Sequence, residues 1–239
     1  MNPTVVILGA ILLVVIYVLY TVISEKGKSV VKKAYLNEAN APISYNTLKN
    51  PKSSRFCFSS WVYIEELKNG NSVTTNLFHV ENESTANQSD DHIFFSLYCN
   101  DKASLHYKIR TKDASAETLV DNEIMTNFPL QKWVCVMVSV DNKIVDLYID
   151  GKLVRSQQLS EQPTATTDAF MIHFSNDAND VKGYLAKLER YAEPMDPGTA
   201  WSKYMEGNGG NYFSRLLSSY GARFTLTKDD LDMKQFTLF

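Results

Sequence analysis

Three groups of residues in this chain could do chemistry: its carboxylates, its four histidines and its three cysteines. Glycoside hydrolysis needs two carboxylates converging on one bond, roughly 5–9.5 Å apart. Glu65 and Glu66 are adjacent, so in a strand they point to opposite faces, and they read more readily as loop residues. Asp146, Tyr148 and Asp150 share the parity of one strand face, but Asp150 stands in an Asp-Gly turn. His79, His92, His106 and His173 contain no short-spaced metal pair, and each falls within or at the end of an apolar strand pattern. Cys57, Cys99 and Cys135 match no zinc spacing and are expected as buried, reduced thiols, which suits a reducing compartment. Gly207 to Gly210 lacks the Lys-Ser/Thr of a phosphate loop. The expectation is a protein that is not an enzyme.

The stretch most able to position side chains runs from Trp133 to Leu159. Trp133, Cys135, Met137 and Ser139 share one strand face, and Val134, Val136, Val138 and Val140 the other. Asp141-Asn142-Lys143 turns the chain. Ile144–Asp150 forms a second strand, Asp150-Gly151 a positive-φ hairpin turn, and Lys152–Leu159 a third strand. Further strands are predicted at Phe56–Ile64, Asn76–Glu81, His92–Cys99, Ser104–Arg110, Thr118–Ile124, Asp168–Phe174 and Gly183–Tyr191. Twelve Phe, thirteen Tyr and three Trp suit pleated faces. Many short strands with polar turns predict an all-β, two-sheet antiparallel sandwich. A short helix at Pro197–Glu206 would place Trp201 and Met205 on one face as core packing. Net charge is −3, with no basic stripe, so nucleic acid is not an expected partner.

Thr4 to Ile23 contains no charged residue, and as a helix it spans about 30 Å, the thickness of a bilayer core. Tyr17 and Tyr20 suit the interface. Met1-Asn2-Pro3 has no charged n-region and no small-x-small site follows, so the segment reads as a retained anchor rather than a cleaved signal peptide. Lys26, Lys28, Lys32 and Lys33 follow it, which predicts a single-pass protein with its large domain on the cytoplasmic side. The same lysines could solvate the helix end or touch anionic head groups. Residues 24–51 read as a polar stalk with a first edge strand near Ile43–Leu48. Asn82-Glu83-Ser84 and Asn87-Gln88-Ser89 are glycosylation sequons in a polar loop. After residue 207, a hairpin with arms Ala222–Thr227 and Met233–Phe239 either extends a sheet edge or reaches a neighbour. Phe236, Leu238 and Phe239 are its candidate partner-binding residues.

The Lys-Trp strand and the following Asp-Leu-Tyr-Ile-Asp-Gly-Lys-Leu-Val hairpin resemble the heart of the laminin-G-like, concanavalin-A-like jelly-roll family. Phe56–Ile64 resembles that family's early F-x-x-S-x-W-V strand, Gly183–Leu188 its late G-x-[IL]-x-x-[IL] strand, and Pro194–Gly207 the helical turn after it. The resemblance covers roughly residues 43–207, and the expected domains are a transmembrane anchor helix (1–23), a stalk (24–51), the laminin-G-like sandwich (52–207) and a C-terminal extension (208–239). Hydrolases on this fold use a Glu-x-Asp-x-x-Glu strand, which does not occur here. Laminin-G-like domains often bind calcium at the rim; Asp90, Asp91, Asp177 and Asp180 are the candidate ligands that this implies. As a whole the chain is similar to membrane-anchored minor capsid proteins of large icosahedral DNA viruses. That likeness implies a virion protein between an internal membrane and the capsid, with lipid and major or minor capsid proteins as partners. The alternative is a membrane-anchored glycan-binding lectin, with calcium in its loops.

Overall fold

The computed structural model describes residues 9, 11–17, 28–36, 38, 40–67, 75–82, 92–100, 102–112, 116–164, 170–174, 181–208, 223–228 and 231–237. Residues 11–17 are helical, and among the described residues no helix is long and apolar enough to cross a membrane. Most of the predicted anchor, Thr4, Tyr20, Ile23 and the following Lys26 included, lies outside the described residues.

Twelve strands build two six-stranded antiparallel sheets. They are β1 (Lys28–Tyr35), β2 (Ile43–Ser44), β3 (Arg55–Leu67), β4 (Thr75–Asn82), β5 (Ile93–Cys99), β6 (Leu105–Lys112), β7 (Glu117–Met125), β8 (Val134–Asp141), β9 (Ile144–Ile149), β10 (Lys152–Gln158), β11 (Phe170–Phe174) and β12 (Val181–Tyr191). Sheet A has the order β1-β12-β3-β8-β9-β10, and sheet B the order β2-β11-β4-β5-β6-β7. The alternation in β8 decides which side is inside. Val134, Val136, Val138 and Val140 enter the main core, while Cys135 and Met137 join a second cluster on the opposite face. Between the sheets, Tyr45, Phe56, Phe58, Phe78, Phe94, Phe95 and Phe170 form a continuous aromatic centre, with Phe58 and Phe95 stacked at 4.8 Å. Aromatic burial of this extent supplies much of the apolar area that holds two sheets together.

Arg190 is 2% exposed at the end of β12. Its Nε donates to the Tyr45 hydroxyl at 2.9 Å, and its terminal nitrogens donate to the carbonyls of Lys49 and Asn50 at 2.6 and 3.0 Å. Its guanidinium also lies over the rings of Tyr45 and Phe56, so carbonyls and ring faces take up the buried charge.

Two stretches differ from the sequence expectation. The segment read as stalk contains β1, paired antiparallel with β12, and its Ala34 and Leu36 are buried in the main core. The first edge strand is only Ile43–Ser44, after which Tyr45–Thr47 closes a 3-10 turn. Glu65 and Glu66 lie in β3 rather than in a loop, and Glu65 accepts from Lys182 at 2.7 Å.

Helix α1 (Pro197–Met205) starts where Asp196 accepts the backbone N–H groups of Gly198 and Thr199, with Pro197 in the first turn. It lies on the outer face of sheet A over Trp61, Cys135 and Tyr148. Ala200 and Tyr204 make that contact, whereas Trp201 and Met205 are 46% and 49% exposed. The predicted packing pair therefore faces outward, because the smaller Ala200 fits closest to the sheet. The tail strands β13 (Arg223–Lys228) and β14 (Leu231–Thr237) pair with each other and extend neither six-stranded sheet.

Candidate functional site

Inner faces of a sandwich are filled by core, so ligands meet the loops, the edges and the two outer faces. The outer face of sheet B carries a set of ionisable side chains, and strand register builds it. His173, His79, Ser96, Lys108 and Asp121 stand directly opposite one another in successive strands, from β11 through β4, β5 and β6 to β7. A second row joins Asn76, Tyr98, His106 and Glu123.

At one end, the imidazoles of His79 and His173 stack at 5.3 Å and share one carboxylate. Glu81 places one oxygen 3.4 Å from His79 Nε2 and the other 3.3 Å from His173 Nε2. Burial disfavours the charged form of His79 and lowers its pKa; Glu81 opposes that shift and His173 adds to it. Among the described residues His79 Nδ1 is buried with no hydrogen-bond partner.

In the second row, the Tyr98 hydroxyl donates to Asp121 at 2.7 Å, and the Tyr98 and His106 rings stack at 5.0 Å. His106 lies 3.7 Å from Asp121 and 4.0 Å from Glu123. Ser96 donates to Asn76 at 2.8 Å. Tyr98 is only 4% exposed, so its ring is covered by its neighbours and offers no platform for a sugar. The face is polar and largely cross-linked within itself.

The remaining sequence candidates fall elsewhere. Tyr148 is fully buried under α1 and donates to the Met195 carbonyl at 3.0 Å. Asp150 accepts the Cys135 backbone N–H at 2.9 Å, so its carboxylate supports the hairpin. The three cysteines are free and buried, and burial pushes the Cys99 and Cys135 thiols up to about 12. Lys32 and Lys33 are exposed on β1, and Lys28 begins that strand. Tyr17 is 68% exposed on the helical stretch. Asp90, Asp91, Asp177 and Asp180 lie outside the described residues, as do Leu238 and Phe239, while Phe236 belongs to the backbone of β14. Among the described residues no group of three His, Cys, Asp or Glu is arranged to hold a metal ion. The stacked histidines were not visible in the sequence. Their meeting depends on the pairing of β4 with β11, which no local spacing encodes.

A laminin G model described as the concanavalin A-like lectin/glucanases superfamily matches residues 37–200. Among curated proteins none matches the chain. Similar solved structures include the botulinum neurotoxin serotype D ligand binding domain in complex with N-acetylneuraminic acid, at TM-score 0.53 and 12% identity; the match covers 77% of this chain and 44% of that one. The binding domain of Paraclostridial Mosquitocidal Protein 1 follows at TM-score 0.50 and 14% identity, covering 76% and 47%. The Ruminococcus gnavus IT-sialidase CBM40 bound to alpha2,3 sialyllactose is similar at TM-score 0.48 and 14% identity, covering 75% and 97%. The chain spans less than half the length of the two toxin chains.

Proposed function

The chain belongs to the concanavalin A-like lectin/glucanases superfamily, and we propose that it serves as a non-catalytic recognition module held at a membrane. Residues 4–23 supply the anchor, and the outer face of sheet B meets a protein partner. The observation that carries this reading is the unequal finish of the sandwich. Sheet A has its outer face partly covered by α1 and its edge strand β1 close in sequence after the apolar segment; the outer face of sheet B carries polar and ionisable side chains from five strands. Because the sheets pack back to back about 10 Å apart, the two outer faces point in opposite directions. A module secured on the sheet A side therefore offers sheet B to whatever lies beyond. A protein layer is the proposed partner class, and the capsid shell of the virus group named above is its specific case. On this reading the domain lies on the cytoplasmic side, as the lysines after the apolar segment favour.

A glycan ligand is the second reading. Its support is the serotype D ligand binding domain, which shares this fold and was solved with N-acetylneuraminic acid. The test is a glycan array probed with detergent-solubilised full-length protein, paired with alkaline extraction of membranes containing it. The tethering account expects retention in the membrane and no saturable glycan binding. Saturable binding of a sialylated glycan would move the function to the lectin reading. Release from the membrane by alkali would remove the anchor from the account.

A further inference from the structure

The outer face of sheet A carries a row of aromatic side chains, Tyr35 exposed and the rest half-buried, that continues beyond α1. Tyr35 on β1, Tyr184 on β12, Tyr63 on β3 and Trp133 before β8 stand on four neighbouring segments. Their ring centroids lie 4.9 Å apart for Tyr35–Tyr184, 5.9 Å for Tyr63–Tyr184 and 5.4 Å for Tyr63–Trp133. Lys33 Nζ sits 4.9 and 4.6 Å from the ring centroids of Tyr35 and Tyr184. Beside the row is a cleft of about 700 Å³ lined by Trp133, Lys32, Lys33 and Lys187, with Glu189 as its acidic residue. The Tyr191 hydroxyl donates to Glu189, and Lys187 lies 3.9 Å from Glu206. Tyr35 is 40% exposed, and Trp201 of α1 adds a second exposed aromatic on the same face.

Clustered Trp and Tyr with lysines are the residues that settle at the head-group level of a bilayer. Only residues 24–27 separate Ile23 from Lys28, and so short a link reaches at most about 18 Å when fully extended. If Thr4–Ile23 is in the bilayer, β1 starts at the bilayer surface, and the lysines and aromatics of its outer face are carried with it. We propose that this aromatic–lysine platform docks on the anionic head groups of the membrane that holds the anchor. It thereby fixes the sandwich with sheet A toward the lipid and sheet B away from it. The proposal rests on the anchor reading above and adds an orientation to it.

Full-length protein is reconstituted into phosphatidylcholine vesicles with or without phosphatidylserine, all carrying a nitroxide on the lipid head group. Tryptophan emission is recorded before and after an alkaline wash, and Trp133→Phe isolates the share of Trp133. The platform predicts Trp133-dependent quenching that is strong with phosphatidylserine, weaker without it, and relieved by added salt. Combined Lys32→Glu, Lys33→Glu and Lys187→Glu removes it while the protein stays with the vesicles. The salt response of the unmodified protein tests the same point if that variant misfolds. Retention through the alkaline wash without Trp133 quenching overturns the platform and leaves the anchor standing. Quenching before the wash followed by complete release sustains the platform and overturns the anchor. A shift of Trp133 emission by a soluble acidic oligosaccharide, with none from the vesicles, makes the cleft a glycan site and overturns the proposal.

Discussion

His79 is largely buried among its neighbours on the outer face of sheet B, with its Nε2 on a carboxylate shared with His173 and its Nδ1 without a hydrogen-bond partner among the described residues. Its pKa is lowered in the folded state, chiefly by burial, so the unfolded chain binds a proton at higher pH than the native one. The unfolding free energy therefore stays level above the ordinary histidine value near 6.5 and falls as pH drops below it, by at most about 1.4 kcal/mol per pH unit. Urea denaturation between pH 7 and pH 5 checks this. His79→Gln, which cannot take up a proton, is expected to flatten that part of the curve; an unchanged slope would locate the proton uptake elsewhere. At this scale the sequence was legible where chemistry is local. The buried free cysteines follow from their apolar surroundings. The histidine pair and the burial of Arg190 do not, because each is created by strands brought together from distant parts of the chain.

Among the elements, the β9–β10 hairpin and α1 depend on one glycine. Asp150 and Gly151 have φ of 49° and 74°, the double positive turn that the Asp-Gly pair predicts. A Cβ on Gly151 would also come within 2.9 Å of Tyr204 Cβ and 3.1 Å of Trp201 Cα, so the turn doubles as the seat of the helix. Gly151→Ala is expected to cost about 1–3 kcal/mol and to displace α1. Denaturant unfolding together with a shift in tryptophan emission reports both effects; a stability loss without that shift would separate the turn from the helix. The meander was readable because β8 alternates without interruption. β1 was not, for two reasons. Lys28, Lys32 and Lys33 give it the composition of a linker, and a bulge between Ser29 and Val31 breaks its register. Its membership in the sheet is decided by β12, more than a hundred residues away. Trp201 and Met205 mislead in the opposite sense: helical spacing identified a face of α1, but the close packing against sheet A selects Ala200 and Tyr204.

For the whole molecule, the family and the two-sheet architecture were legible in the sequence, whereas the difference between the two outer faces was not. That difference organises the functional account. The aromatic–lysine face of sheet A and the histidine–carboxylate face of sheet B point in opposite directions, and the proposed orientation sets the first toward the membrane and the second away from it. The account requires the sandwich to be cytoplasmic, and Asn82 and Asn87 lie in sequons that report the opposite placement directly. The deciding measurement is synthesis of the full chain into sealed microsomes, followed by external protease and endoglycosidase treatment. The account predicts no endoglycosidase-sensitive mass shift and digestion of the sandwich by protease added outside. A glycosylated, protease-protected domain would put it in the lumen and contradict the tethering of a membrane to a cytoplasmic protein layer.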